Sequence, residues 1–192
     1  MTTKKFLPNG SLESKGGFTL IEALLYIALL AMVITSAVGV TFMVLGNREK
    51  GISVAEAQEN ASLVYARISQ NVRASDFVVR SGGTRTLFDI NPGRLSLQMP
   101  SGQVTIDTYT KEVLLGNRTF TIRKLRFDDG SQVVDLTSDL VDVTQFVIRD
   151  RRQGTEPDTI KVEFTVQYFN PDQISLYDAQ VLRIFTVNRR KN

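Results

Sequence analysis

Between Ala23 and Gly46 lie 24 residues without a charge, ALLYIALLAMVITSAVGVTFMVLG. At about 1.5 Å of rise per residue, a helix of this length covers roughly 36 Å, enough to cross a hydrocarbon core of about 30 Å with some tilt. A surface helix of a globular protein keeps a polar face, whereas this run is apolar on every side. Membrane insertion is the expectation. The run is roughly twice the length of a signal-peptide apolar region and lacks a clean A-x-A site at its end, Ser36-Ala37-Val38 being a poor approximation. Lys4, Lys5 and Lys15 precede it against Glu13 alone, which predicts an N-terminus in the cytoplasm and the rest of the chain outside.

The remaining composition narrows the chemistry. The chain of 192 residues contains no His and no Cys. That excludes Ser-His-Asp and Cys-His nucleophiles, thiolate or imidazole zinc sites, haem and iron–sulfur ligation, and any disulfide. With 23 Lys+Arg against 20 Asp+Glu, the formal net charge is only +3. An enzyme on this scaffold would need an Asp/Glu pair for acid–base work, and no spacing singles one out.

Glu22 stands at the front of the apolar run. An acid at mid-bilayer costs on the order of 2.5–3.5 kcal/mol, less near the interface. The 15 Leu, Ile, Val and Phe residues from Phe18 to Leu45 each return about 0.3–0.6 kcal/mol when central, so insertion survives the carboxylate. Survival does not account for its presence, because an intramembrane carboxylate calls for a partner. The segment Lys15-Gly16-Gly17-Phe18-Thr19-Leu20-Ile21-Glu22 supplies one. Cleavage after Gly17 would create a cationic α-amine on Phe18, four residues ahead of Glu22 and one helical step away. The two charges could then neutralise one another, within a chain or between neighbours, at low dielectric.

The stretch KGGFTLIEALLYIALLAMVI, residues 15–34, resembles the prepilin-type N-terminal motif of type IV pilins and type II secretion pseudopilins. The resemblance implies removal of the leader by a prepilin peptidase cutting between Gly17 and Phe18, N-methylation of Phe18, and a role for Glu22 in docking against the amino terminus of an adjacent subunit. It also implies partners: other pilin or pseudopilin subunits, the peptidase/methylase, an inner-membrane assembly platform and membrane lipid. No cofactor and no metal are implied. Many pilins carry Pro where this chain has Gly39, a residue that can loosen a helix without removing a donor. Many major pilins carry a C-terminal disulfide loop that a Cys-free chain cannot form. Both departures point towards a minor pilin or minor pseudopilin.

Beyond the polar exit Asn47-Arg48-Glu49-Lys50-Gly51, apolar positions recur at Val54, Ala57, Ala61, Val64, Ile68 and Val72. Steps of three and four are those of an amphipathic helix with one core-facing stripe. Gly51 is a second position at which the helix could loosen or bend. From Asp76 the period changes to two. Ten strand-like runs follow: Phe77–Arg80, Thr86–Ile90, Arg94–Met99, Val104–Tyr109, Glu112–Leu115, Arg118–Arg123, Gln132–Leu136, Val143–Arg149, Thr159–Phe169 and Ala179–Val187. Their short turns, among them Gly116-Asn117 as a two-residue hairpin loop, argue for antiparallel meanders in two sheets. The expected fold is therefore α+β and pilin-like: a basic leader over residues 1–17, a membrane or filament-core helix over 18–46, an amphipathic helix over 47–75 and a β-rich head over 76–192.

Three other features compete as sites. Asp128-Asp129-Gly130 with Asp135, Asp139 and Asp142 brings calcium to mind, yet the spacing does not fit a D-x-D-x-D-G loop, and solvated turn acids are the plainer reading. Arg123-Lys124-Arg126, Arg149-Arg151-Arg152 and Arg189-Arg190-Lys191 could form a basic face for nucleic acid. Acids flank two of these clusters. Phe77, Phe88, Tyr109, Phe120, Phe146, Phe164, Tyr168 and Phe185 read as head core rather than a stacking platform. The function expected is that of a non-enzymatic, single-pass structural subunit of a type IV pilus or type II secretion-like filament. The alternative is a pilin-like subunit whose head binds DNA or acts as an adhesin.

Overall fold

A computed structural model of the chain describes residues 19–152, 154, 158–174 and 177–189. The proposed scissile pair Gly17 and Phe18 lies outside the described residues, as do Arg190 and Lys191. The chain forms two compact units, the first ending at Val44 and the second running from Leu45 to Asn192.

One helix, α1 (Leu20–Ala74), supplies the described secondary structure of the first unit and begins the second. Thr19 starts it as an N-cap: its Oγ1 accepts a hydrogen bond from the Glu22 N–H at 3.3 Å, and its carbonyl accepts from the N–H groups of Glu22 and Ala23, both at 3.1 Å. Every residue from Thr19 to Leu45 is exposed. Such a continuous apolar surface has no place in water, and α1 is the one described helix long and apolar enough to cross a membrane. Three hydroxyls of this stretch are satisfied within the helix. Thr35, Ser36 and Thr41 donate to the carbonyls of Ala31, Met32 and Ala37 at 2.8, 2.9 and 2.8 Å, so none of these three O–H donors is bare.

Helical structure is unbroken at Gly39 and Gly51, and a Cβ built at either meets nothing within 4 Å. Gly51 therefore lowers helix stability without any local steric need for it. Gly51→Ala should raise the stability of the full chain in detergent by about 0.5–1 kcal/mol, read as a shift in urea midpoint. A fall in midpoint would show that the chain bends there.

In the second unit α1 turns one stripe inward: Ala57, Ala61, Val64, Ile68 and Val72 are fully buried, and Val54 is half-buried. Polar residues of the same face are buried as well. Asn60 accepts a hydrogen bond from the Ser138 N–H at 2.7 Å and donates to the Glu56 carbonyl at 2.8 Å, while Ser138 Oγ donates to Glu56 Oε1 at 2.6 Å. This triad fixes the helix on the loop beyond the first sheet.

That sheet contains β1 (Phe77–Val78), β2 (Arg94–Met99), β3 (Gly102–Leu115), β4 (Arg118–Asp128) and β5 (Val133–Asp135), all antiparallel in sequence order. The second sheet is the antiparallel meander of β6 (Val141–Asp150), β7 (Thr159–Tyr168) and β8 (Gln180–Asn188). Alternate residues of both sheets, including Leu95, Leu97, Ile106, Leu125, Phe146, Ile148, Phe164 and Val166, join the α1 stripe in one core. The α+β architecture with antiparallel sheets is thus present.

Among the described residues the strands number eight rather than ten. Val104–Tyr109 and Glu112–Leu115 are one continuous strand, because Thr110 and Lys111 pair with Arg123 and Ile122 without a break. Gly116, at φ 61°, turns that hairpin between Leu115 and Arg118, and with positive φ at the first of the two loop residues alone the connection is of type II′. The run Thr86–Ile90 is not a strand. It makes isolated bridges, Leu87 to Arg94 and Phe88 to Ile148, and belongs to a loop held against β6. Gly93 lies so close there that an added Cβ would sit 2.7 Å from Ile148 Cδ1 and 3.0 Å from the Phe146 carbonyl.

Candidate assembly site and the polar face of the head

Glu22 occupies the first turn of α1 and is exposed, with Ile21, Leu24, Leu25 and Tyr26 around it also open. A carboxylate at this end of a helix is favoured by the macrodipole. The sequence Thr19-Leu20-Ile21-Glu22 has the spacing of a capping box, and the Thr19 half of that box is formed. Thr19 is a helix-capping residue that the reading of the sequence passed over. Its signal was the T-x-x-E pattern ahead of an apolar run. Glu22 thus has a local reason to stand at a helix start, and among the described residues no hydrogen bond or ion pair engages its carboxylate. Gly39 faces open space on the same helix.

The basic clusters do not form one surface. Arg123 and Lys124 are neighbours on β4, so the strand period sends them to opposite faces. Lys124 is 2 % exposed, and its Nζ lies 2.8 Å from Asp135 Oδ2 and 2.5 Å from Asp139 Oδ1. Lys111 joins Asp139 at 3.0 Å, and Tyr109 donates to Asp135 at 2.6 Å. Arg126 pairs with Asp107 at 2.7 Å. Arg149 is held by Glu163 and Asp89, both at 3.0 Å. Arg80 spans Asp158 at 2.6 Å and Asp150 at 3.1 Å, and the buried Asp158 also accepts from the Val78 N–H. Arg189 donates to the Asp76 carbonyl.

Asp128, Asp129 and Asp142 are occupied in the same way. Asp128 accepts from Gly130, Asp129 from Ser131 and Gln132, and Asp142 from the Arg123 N–H. Among the described residues no three His, Cys, Asp or Glu side chains gather as a metal-ligand group. The aromatic reading holds for four of its eight residues, since Tyr109, Phe120 and Tyr168 are half-buried outside the core and Phe77 is exposed. Phe146 and Phe164 are fully buried and Phe88 and Phe185 pack against the core, but Phe77 is 50 % exposed because β1 is an edge of only two residues.

These ion pairs make acid stability testable. The guanidinium of Arg149, and then the ammonium of Lys161 at 2.7 Å, hold the Glu163 carboxyl at about 2. The Ser131 hydroxyl and the Gln132 and Ser131 N–H groups hold Asp129 at about 2. Lys124, then Lys111, also lowers Asp139. Each carboxylate ionises more readily folded than unfolded, so each stabilises the head fully above about pH 5 and loses that contribution as pH falls towards 2. The melting temperature of the full chain in detergent should decline continuously from pH 5 to pH 2, and less steeply in Glu163→Gln. An unchanged slope in that variant would rule out the Arg149–Glu163 pair as a contributor.

No protein-family model matches the chain, and no curated protein and no solved structure shows detectable similarity to it. Fold and site define an α+β protein with, among the described residues, one candidate membrane-spanning helix near its N-terminus.

Proposed function

We propose that this chain is a minor pilin or pseudopilin: a non-enzymatic subunit that is cleaved between Gly17 and Phe18, N-methylated on Phe18, held in the inner membrane by α1 with its head outside, and moved into a pilus or secretion-type filament. The observation that carries the reading is the pairing of a Gly-Gly-Phe boundary with a helix whose apolar surface, from Leu20 to Leu45, is covered by nothing in the described chain. Lipid satisfies that surface before assembly, and neighbouring helices of the same kind satisfy it afterwards. In lipid the exchange is driven by packing and polar pairing rather than by the hydrophobic effect. The Phe18 amine and Glu22 would supply the polar pairing and set the axial register between subunits.

The test is intact-mass and N-terminal analysis of the native protein, with a chain beginning at N-methyl-Phe18 as the expected result. A chain that retains Lys4, Lys5 and Lys15 would overturn the assignment. Gly17→Val should abolish processing and leave only the longer species. A mature chain beginning at Phe18 despite that change would exclude a prepilin-type peptidase.

The second reading, a DNA-binding head on the same anchor, rests on Arg151 and Arg152, which are exposed at the end of β6. Salt-sensitive binding of duplex DNA by the full chain would favour it.

A further inference from the structure

The two sheets end in four edge strands, and among the described residues three of these are short or covered. β1 has two residues and β5 three. The outer edge of β6 is occupied by the loop 88–93: its Phe146 and Ile148 carbonyls accept from the N–H groups of Gly93 and Asp89, and its Phe146 N–H donates to Asn91 Oδ1. The fourth edge, β8, runs nine residues from Gln180 to Asn188. It contains no Pro and no Lys, the usual devices that blunt an edge.

Its polarity follows from the hydrogen bonds at its two ends. The Tyr168 N–H donates to the Ala179 carbonyl, and the Arg189 N–H to that of Asp158, so odd-numbered residues present their backbone groups to β7. The N–H and C=O groups of Leu182, Ile184 and Thr186 therefore point away from the sheet. Leu182 and Ile184 carry apolar side chains that are 55 % and 53 % exposed on the outer face. On the other face, between α1 and β8, lies a pocket of about 320 Å³ lined by Ser62, Tyr65, Arg183, Ile184 and Phe185. Tyr65 and Phe185 meet edge-on at 4.7 Å and form its apolar wall. Arg183 is exposed at its rim, and no described carboxylate pairs with it.

The geometry points to β8 as the docking edge for an extended strand of another protein, with apolar side chains over Leu182 and Ile184 and an Asp or Glu opposite Arg183. Backbone pairing gives the affinity and the alternate side chains give the selection. The free row of N–H and C=O groups requires a strand rather than a helix, and the unpaired guanidinium beside the pocket sets the charge on the strand's inner face. A second copy is the competing occupant, because its β3 carries Glu112 within residues 108–115, which β2 leaves unpaired, and protection that rises with chain concentration reads it out.

The test uses the full chain in detergent micelles and two nonapeptides, acetyl-TTVTVEVTT-amide and the same peptide with Lys in place of Glu. In antiparallel register the central Val faces Ile184 and the Glu faces Arg183. Amide hydrogen exchange at Leu182, Ile184 and Thr186 should slow at least tenfold at millimolar acidic peptide, with β1 unchanged. The Lys peptide should bind about fivefold more weakly, as expected for exchanging an exposed attraction for a repulsion. Arg183→Glu should reverse that preference. Leu182→Lys combined with Thr186→Lys should abolish protection while the far-UV spectrum and melting temperature are retained. Absence of protection, equal binding of the two peptides, or protection that rises with chain concentration alone (a second copy on the edge) would each overturn the proposal. The readout is local to β8, so its failure would leave the filament reading untouched, and retention of the leader would leave the docking edge untouched.

Discussion

Replacing Glu22 by Gln should leave the chain in the membrane with its head folded, and reduce its incorporation into filaments about tenfold or more. Insertion does not depend on the carboxylate, since the apolar residues of α1 outweigh its cost and the amide is cheaper still. The helix start also persists, because the cap donates through the Glu22 N–H to Thr19 Oγ1 and makes no use of the side chain. What disappears is the charge. Two unit charges about 4 Å apart at an effective dielectric near 20 attract by about 4 kcal/mol before desolvation is subtracted, and a residue of 1.4 kcal/mol is already tenfold. Comparing the sheared-filament and membrane fractions of wild type and variant reads this directly. Normal incorporation of Glu22→Gln would reduce Glu22 to a helix-start residue and end the pairing mechanism. Thr19→Ala provides the converse control, since it removes the cap and keeps the charge; its expected effect is about 1 kcal/mol on helix stability.

Phe164→Ala should be the most damaging single change in the head, at about 3–5 kcal/mol of stability. Phe164 is fully buried in the middle strand of the second sheet and meets Phe185 at 6.1 Å, next to the Tyr65–Phe185 contact that joins β8 to α1. A cavity there separates three elements at once. The loss compares with a total of about 5–15 kcal/mol for an ordinary domain, so the variant should melt at least 10 °C lower or fail to accumulate. Phe164→Leu, which fills most of the space, should recover more than half of the difference. If Phe164→Ala melted within a few degrees of wild type, the second sheet and α1 would not share a core.

Both expectations show how unevenly the protein is legible. The long apolar helix could be read from one dimension, since a helix of sufficient length and apolarity to cross lipid needs no tertiary contact to specify it. The amphipathic stripe of α1 was legible for a related reason. Its burial follows from a period of 3.6, and five of the six named positions are fully buried. Strands were recognisable by alternation, but their limits were not. Whether Thr110 and Lys111 interrupt β3 depends on Arg123 and Ile122 across the hairpin, and whether Thr86–Ile90 forms a strand depends on β6 some 60 residues later.

The charged residues were least legible. Arg123, Lys124 and Arg126 look like one basic patch when written in a line, yet β4 sends alternate residues to opposite faces and folding brings Asp107, Asp135 and Asp139 to meet two of them. The same holds for the open edge of β8, since a strand gives no sign in its own residues of which neighbours it lacks. Local periodicity and the solvent each segment requires were enough to specify one apolar helix, one buried stripe and a β-rich remainder. Which strands pair, which charges are neutralised and which edge stays free arise from contacts between residues far apart in the chain, and these come into being only once the chain has closed around its core.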